Sequence, residues 1–173
     1  MKIFKDEIYP IKDKLEPHLC SRGFVFDEEG RVGLIHIQTE DEFGKRDHYE
    51  SPGGGLIGSE DYKECFKREI KEELGLLISD PIPFEHIYYE YNLLNSCYEA
   101  KVFYAYKIGV DNENLTSLEK KIFKGVVYKR VDEWIKFLES NLGVQVNYLV
   151  QVRDLYLLKK LNKTLLLGQE KIE

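Results

Sequence analysis

Cysteine is scarce. Cys20, Cys65 and Cys97 are the only three in 173 residues, and no two form a CxxC pair. An odd number at wide spacing excludes a disulfide framework, a cysteine-built zinc site and a redox dithiol, leaving reduced thiols with structural roles. Long apolar runs are missing too, since none approaches the roughly 18 residues of a membrane span. The opening MKIFKDEIYP carries acids and a proline where an export signal needs an apolar stretch, so the expected location is the cytoplasm with no membrane partner. There is no surplus of basic charge. Lys and Arg number 25 against 31 Asp and Glu, and the net charge of −6 disfavours general binding to nucleic-acid backbones. An anionic small molecule remains possible if a metal cation mediates. No Pro/Gly/Ser linker, repeat or low-complexity tract divides the chain, so residues 1–173 read as one domain.

What is present is ordinary for a folded protein, with 43% hydrophobic and 32% charged residues. The first 20 residues fit a short helix or a loop equally well. GFVFDEEGRVGLIHIQ (23–38) has two apolar runs around a turn and reads as a hairpin, and TEDEFGKRDH (39–48) as an exposed polar loop. YESPGGG leads into the glycines as a short strand. Ser59 can cap a helix beginning at Glu60 or Asp61, and Gly75 can end it in a left-handed conformation. FEHIYYEYNL and SCYEAKVFYAYKIGV form a second hairpin through LNS. After the polar DNENLTSLEKK, with room for one helical turn, come a strand in GVVYKRV and a short helix in DEWIKFLES. VNYLVQVRDLYLLKKL suits a docked helix with Leu149, Val152, Tyr156 and Leu161 inward. Strands on both sides of a central helix predict an α/β sandwich with a mixed sheet, not a doubly wound parallel fold. PGGGLIG matches neither GxGxxG nor GxxxxGK[ST].

The helix after the glycines is crowded with acids. With Glu69, Glu72 and Glu73 turned about 100° per residue, their carboxylates share one arc of about 100°. Phe66, Ile70, Leu74 and Leu77 form the apolar stripe beside it. Like charges at this spacing cost about 0.2–0.5 kcal/mol per pair in water and more where water is partly excluded. A hard divalent cation relieves that cost, prefers carboxylate oxygens and is usually completed by substrate phosphates. A charge run alone is more often a solvated helix face.

The joint spacing decides between the two. Gly54, Glu60, Arg68, Glu69, Ile70, Glu72, Glu73, Gly75 and Leu76 stand at every fixed position of a known signature. At average residue usage such a match arises on the order of once in ten million chains this long. The segment resembles the box of the Nudix hydrolase family. It covers 23 of 173 residues, and SPGGG also resembles the family's frequent Pro-Gly-Gly approach to the box. The resemblance implies an α/β/α sandwich with a mixed sheet, and an enzyme that hydrolyses a phosphoanhydride in a nucleoside diphosphate linked to another group. It implies Mg²⁺, with Mn²⁺ as a substitute, because bound metal shields the diphosphate, polarises the phosphoryl group and acidifies the attacking water.

The resemblance assigns metal binding to Glu69, Glu72 and Glu73, with the Gly54 carbonyl as a further ligand. Glu72 or Glu73 would also orient or deprotonate water. Arg68 would hold a glutamate in place, Glu60 would support it, and Gly53, Gly55 and Gly75 would shape the backbone. Many relatives draw one more acid from a later loop. Glu119 is the candidate here, with Glu90 and Glu99 as alternatives. Tyr49 is a candidate for substrate stacking, whereas Cys65, His48 and His86 read as structural. Signatures of the ADP-ribose, NADH, coenzyme A and dinucleoside polyphosphate subfamilies are absent, which leaves nucleoside triphosphates, normal or oxidised, slightly favoured. The alternatives are a pyrophosphatase for nucleotide sugars or ADP-ribose and a catalytically silent nucleotide-binding module. Relatives are often dimers, so a homodimer is an open possibility.

Overall fold

The computed structural model describes residues 1–11, 13, 16–41 and 44–169. Within them the strands are β1 (Lys2–Phe4), β2 (His18–Phe26), β3 (Val32–Asp41), β4 (Gly44–Glu50), β5 (Gly53–Gly55), β6 (Leu76–Ile78), β7 (Ile82–Tyr91), β8 (Ser96–Val110) and β9 (Phe123–Lys129). The helices are α1 (Tyr62–Leu74), α2 (Ser117–Ile122), α3 (Val131–Ser140) and α4 (Val146–Gln169), with a short 3-10 turn at Asn92–Leu94. The strands follow the order β1-β7-β8-β2-β3-β4, with β5 added to β2, β6 to β8 and β9 to β3. Pairing is parallel for β1 with β7 and for β2 with β8, and antiparallel elsewhere, so the sheet is mixed as expected.

Alternation along the strands fills two cores. Val25, Ile35 and Phe103 point to the face covered by Phe66, Ile70 and Leu74 of α1. Their neighbours Phe24, Leu34 and Val102 point to the opposite face, where Trp134 of α3 and Leu157, Leu158 and Leu161 of α4 close the layer. The result is an α/β/α sandwich.

Several local expectations change. The hairpin read in 23–38 has its two strands and its turn, where Asp27 Oδ1 accepts from the backbone of Glu29 and Arg31. Yet β2 and β3 pair only at Phe26 and Val32 and then part. β2 continues along β8, and its Cys20–Arg22 stretch pairs with the glycines of β5. A turn signal specifies where the chain reverses; burial on both faces of β2 decides its further partners. Within the expected loop over 39–48, residues 39–41 and 44–48 form strand, with Thr39 facing Arg46 and Glu40 facing Lys45. The stretch is polar because β4 is an edge, and charge there deters pairing with another chain. The N-cap of α1 is Asp61, not Ser59: its carboxylate accepts from Lys63 N and Glu64 N while the Glu64 side chain accepts from Asp61 N. Gly75 ends the helix at φ 63°.

Part of the undecided first 20 residues is strand, in β1 and the start of β2, while residues 12, 14 and 15 lie outside the described residues. The 24-residue α4 turns Val150, Arg153, Asp154, Leu157 and Leu161 inward. Leu149 and Tyr156 of the expected stripe sit at the flank of that face, and the ring of Tyr156 meets Phe4 at 5.4 Å.

Candidate active site

The glycines lie where β2 and β3 part. Gly53 holds φ 146°, and a Cβ there would stand 2.2 Å from the Ser21 carbonyl oxygen, so no side chain fits. A Cβ on Gly54 would stand 2.3 Å from Glu69 Oε1, which places the loop directly on the carboxylates of α1. Three contacts fasten loop to helix: Gly53 N donates to Glu73 Oε2 at 2.8 Å, Cys65 Sγ to Gly54 O at 3.4 Å, and Arg68 Nη2 to Gly55 O at 2.9 Å. Burial pushes the Cys65 thiol up to about 12, which keeps its proton in place for that bond.

Arg68 is the hub of the acids. It gives Nε and Nη2 to Glu60 at 3.0 and 2.7 Å, and Nη1 to Glu69 at 2.7 Å and to Glu72 at 3.1 Å. Its hydrogen bonds bring the Glu60 carboxyl down to about 2. Glu69 and Glu73 are 8% and 7% exposed. Burial raises the Glu69 carboxyl even against Arg68, and Glu73 is raised well above the ordinary range by burial and then by the charge of Glu69. Among the described residues no three His, Cys, Asp or Glu side chains already converge in a metal-holding arrangement; Arg68 draws Glu69 and Glu72 toward itself instead. The donor set nonetheless fits a hard divalent ion, being oxygen-only, poorly hydrated and strained by its own charge.

The remaining expected residues fall in different places. Glu119 belongs to the capping box of α2, accepting from Thr116 N at 2.6 Å, and its charge reaches Glu69. Glu90 accepts from Asp6 N and Tyr88 Oη, and Glu99 bonds His86 at 2.8 Å. The Tyr49 ring stacks on His36 at 4.7 Å and packs against Trp134 and Phe137. One acid escaped sequence reading: Glu113 lines a cavity of about 310 Å³ together with Glu73, Phe123 and Tyr128.

A second cavity of about 230 Å³ opens on the other side of the glycines, lined by Arg22, Glu50, Gly53–Gly55, Tyr89, Tyr91, Tyr98 and Arg153 among others. Its charged groups form a buried chain. Asp154 accepts from Ser51 N at 2.6 Å, Ser51 Oγ at 3.1 Å and Arg153 Nε at 2.7 Å. Arg153 Nη1 donates to Tyr91 Oη at 2.9 Å, and Arg22 Nη1 donates to the Ser51 carbonyl. Arg22 Nε and Arg153 Nη2 are buried without a partner. Glu50 bonds His48 at 3.3 Å, and that bond with the nearby positive charges brings its carboxyl down to about 2 against the cost of burial. The sequence did carry a signal for these groups: Arg22 interrupts an apolar strand, and Arg153-Asp154 interrupts the apolar run of the last helix.

Comparison with known proteins identifies the domain and its fold. The family model of the NUDIX domain matches residues 17–141. Among solved structures, a NUDIX hydrolase from Nitrosomonas europaea is similar at a TM-score of 0.55 and 15% identity, over 68% of this chain and 75% of that one. A MutT NUDIX hydrolase from Burkholderia pseudomallei gives 0.56 and 18%, over 68% and 86%. The E. coli ORF135 protein gives 0.54 and 14%, over 85% and 91%. At these identities the likeness concerns the fold. No curated protein matches the sequence.

Proposed function

The chain belongs to the Nudix hydrolase family, whose members cleave pyrophosphate linkages in nucleoside diphosphate derivatives, and from that premise we propose that it is a Mg²⁺-dependent hydrolase acting on nucleoside triphosphates, normal or oxidised. The observation that carries the reading is the pressing of the Gly53–Gly55 backbone onto Glu69 and Glu73, two buried carboxylates whose ionisation is penalised unless a cation joins them. Glu69, Glu72 and Glu73 would hold the ion, joined by the Gly54 carbonyl. When bound, the ion shields the diphosphate, polarises the phosphoryl group and acidifies the attacking water. Arg68, itself anchored by Glu60, positions Glu69 and Glu72. Glu73, held at the glycine loop by the Gly53 N–H, takes the proton of the attacking water, with Glu119 as the alternative base.

The same reading takes the chain as one domain, Mn²⁺ as a substitute ion and the cytoplasm as the compartment, and it leaves the homodimer open. Release of phosphate or pyrophosphate is measured over a panel of nucleoside triphosphates and nucleotide conjugates with Mg²⁺ or Mn²⁺. Turnover is expected with triphosphates, and Glu73→Gln is expected to lower kcat by about 10²–10⁴-fold with circular dichroism unchanged. No turnover on any member of the panel would overturn the enzyme reading in favour of a nucleotide-binding module.

A further inference from the structure

We infer that Asp154 is a positioning residue for the proposed reaction: from α4 it fixes the glycine loop through Ser51, and the loop in turn aims Glu73. The inference rests on the reading of Glu73 above as ion ligand and base. Consecutive glycines have wider backbone freedom than any other residues, whereas a catalytic group has to be held within about 0.5 Å of its working place. The loop therefore needs a clamp from outside.

That clamp is a continuous run of hydrogen bonds. Ser51 N donates to Asp154 Oδ2 at 2.6 Å, and Ser51 Oγ to Asp154 Oδ1 at 3.1 Å. Arg153 Nε holds the same carboxylate at 2.7 Å. The Ser51 carbonyl accepts from Arg22 Nη1, the Pro52 carbonyl accepts from Gly23 N at 3.2 Å, and Gly53 N donates to Glu73 Oε2 at 2.8 Å. Proline has no N–H, so every backbone hydrogen-bonding group from Ser51 N to Gly53 N is engaged. Each bond fixes a direction as well as a place, which apolar packing of the same loop would not do. Ser51, Arg153 and Asp154 are all buried, and a buried ion pair often stabilises a fold less than apolar residues of similar volume. Stability alone does not account for charges here; orientation of the loop does. α4 begins at Val146, beyond the residues 17–141 that match the family, so the clamp comes from outside the shared domain.

The test uses the full chain and two readouts: Mn²⁺ affinity by electron paramagnetic resonance without substrate, and kcat and KM with Mg²⁺. Asp154→Asn keeps the size of the side chain and removes its charge. It is expected to weaken Mn²⁺ binding and to lower kcat, each by about 10–100-fold, with KM within about twofold of wild type. Leu161→Ala opens the core about 10 Å further along the same helix, and is expected to lower stability and leave both readouts within about twofold. Added to Glu73→Gln, Asp154→Asn is expected to lower kcat by less than about twofold more, because both act through one carboxylate. Ser51→Ala removes the hydroxyl bond, leaves the backbone bond, and is expected to weaken Mn²⁺ about threefold; it decides the case if Asp154→Asn does not fold. Unchanged Mn²⁺ affinity, equal losses in Leu161→Ala, or a full further loss on top of Glu73→Gln overturns the inference. A kcat untouched by Glu73→Gln, with Mn²⁺ still weakened by Asp154→Asn, strikes Glu73 as the base and leaves the clamp standing.

Discussion

Glu60 and Arg68 show what one pair of residues contributes. Two charge-assisted bonds bring the Glu60 carboxyl down to about 2, below its ordinary value of about 4.3. A carboxyl lowered by folding adds stability that is complete above its unfolded value and is lost as pH falls through its folded value. Glu60→Gln is therefore expected to melt below wild type at pH 7, with the deficit shrinking below about pH 4.5 and vanishing near pH 2. Thermal melts of both proteins across that range check it; a deficit independent of pH would show that the ionised pair is not its source. At this scale the sequence was informative wherever function imposes a fixed spacing. Glu60, Arg68, Glu69, Glu72 and Glu73 lie on one loop and one helix, so their separation along the chain sets their separation in space. Arg22, Glu50 and Arg153 meet from three elements more than 100 residues apart at the extremes, and no local pattern encodes that meeting.

Among the elements, α1 was the most legible, and its start was still misplaced by two residues. Ser59 and Asp61 both qualify as caps, but Glu64 stands three residues after Asp61 and closes a reciprocal capping box. Asp61→Ala is expected to destabilise the protein by about 1 kcal/mol, and Ser59→Ala by less than about 0.5 kcal/mol, measured as shifts in urea midpoint. A larger loss for Ser59→Ala than for Asp61→Ala would return the cap to Ser59. Strands were legible as strands, since β-branched and aromatic runs between turns appear at β2, β3, β7 and β8. Their pairing was legible in part: β7 and β8 form the antiparallel hairpin read from the sequence. The turn at Asp27 predicts that β2 and β3 pair along their length, whereas they pair only at Phe26 and Val32, and β5 takes the Cys20–Arg22 stretch of β2. The buried face of α4 was hidden for a different reason: it includes Asn147, Gln151, Arg153 and Asp154, which an apolar criterion passes over.

For the whole molecule, Asp154 ties the last helix to the glycine loop through the backbone and hydroxyl of Ser51, with itself 0% exposed and Arg153 1% exposed. Removing one partner of a buried ion pair leaves an uncompensated charge, so Asp154→Ala is expected to cost about 3–5 kcal/mol in equilibrium unfolding. A loss under about 1 kcal/mol would place the hold on the loop elsewhere. The bond also sets an order of events during synthesis. Ser51 leaves the ribosome 103 residues ahead of the carboxylate that grips it. The box helix and its glycines are made early and can pair with β2 as soon as both are free, yet the bond from Ser51 to Asp154 waits until α4 has been translated. A nascent chain halted before Asp154 would carry every residue of the box and still lack the bond that ties Ser51 to the last helix.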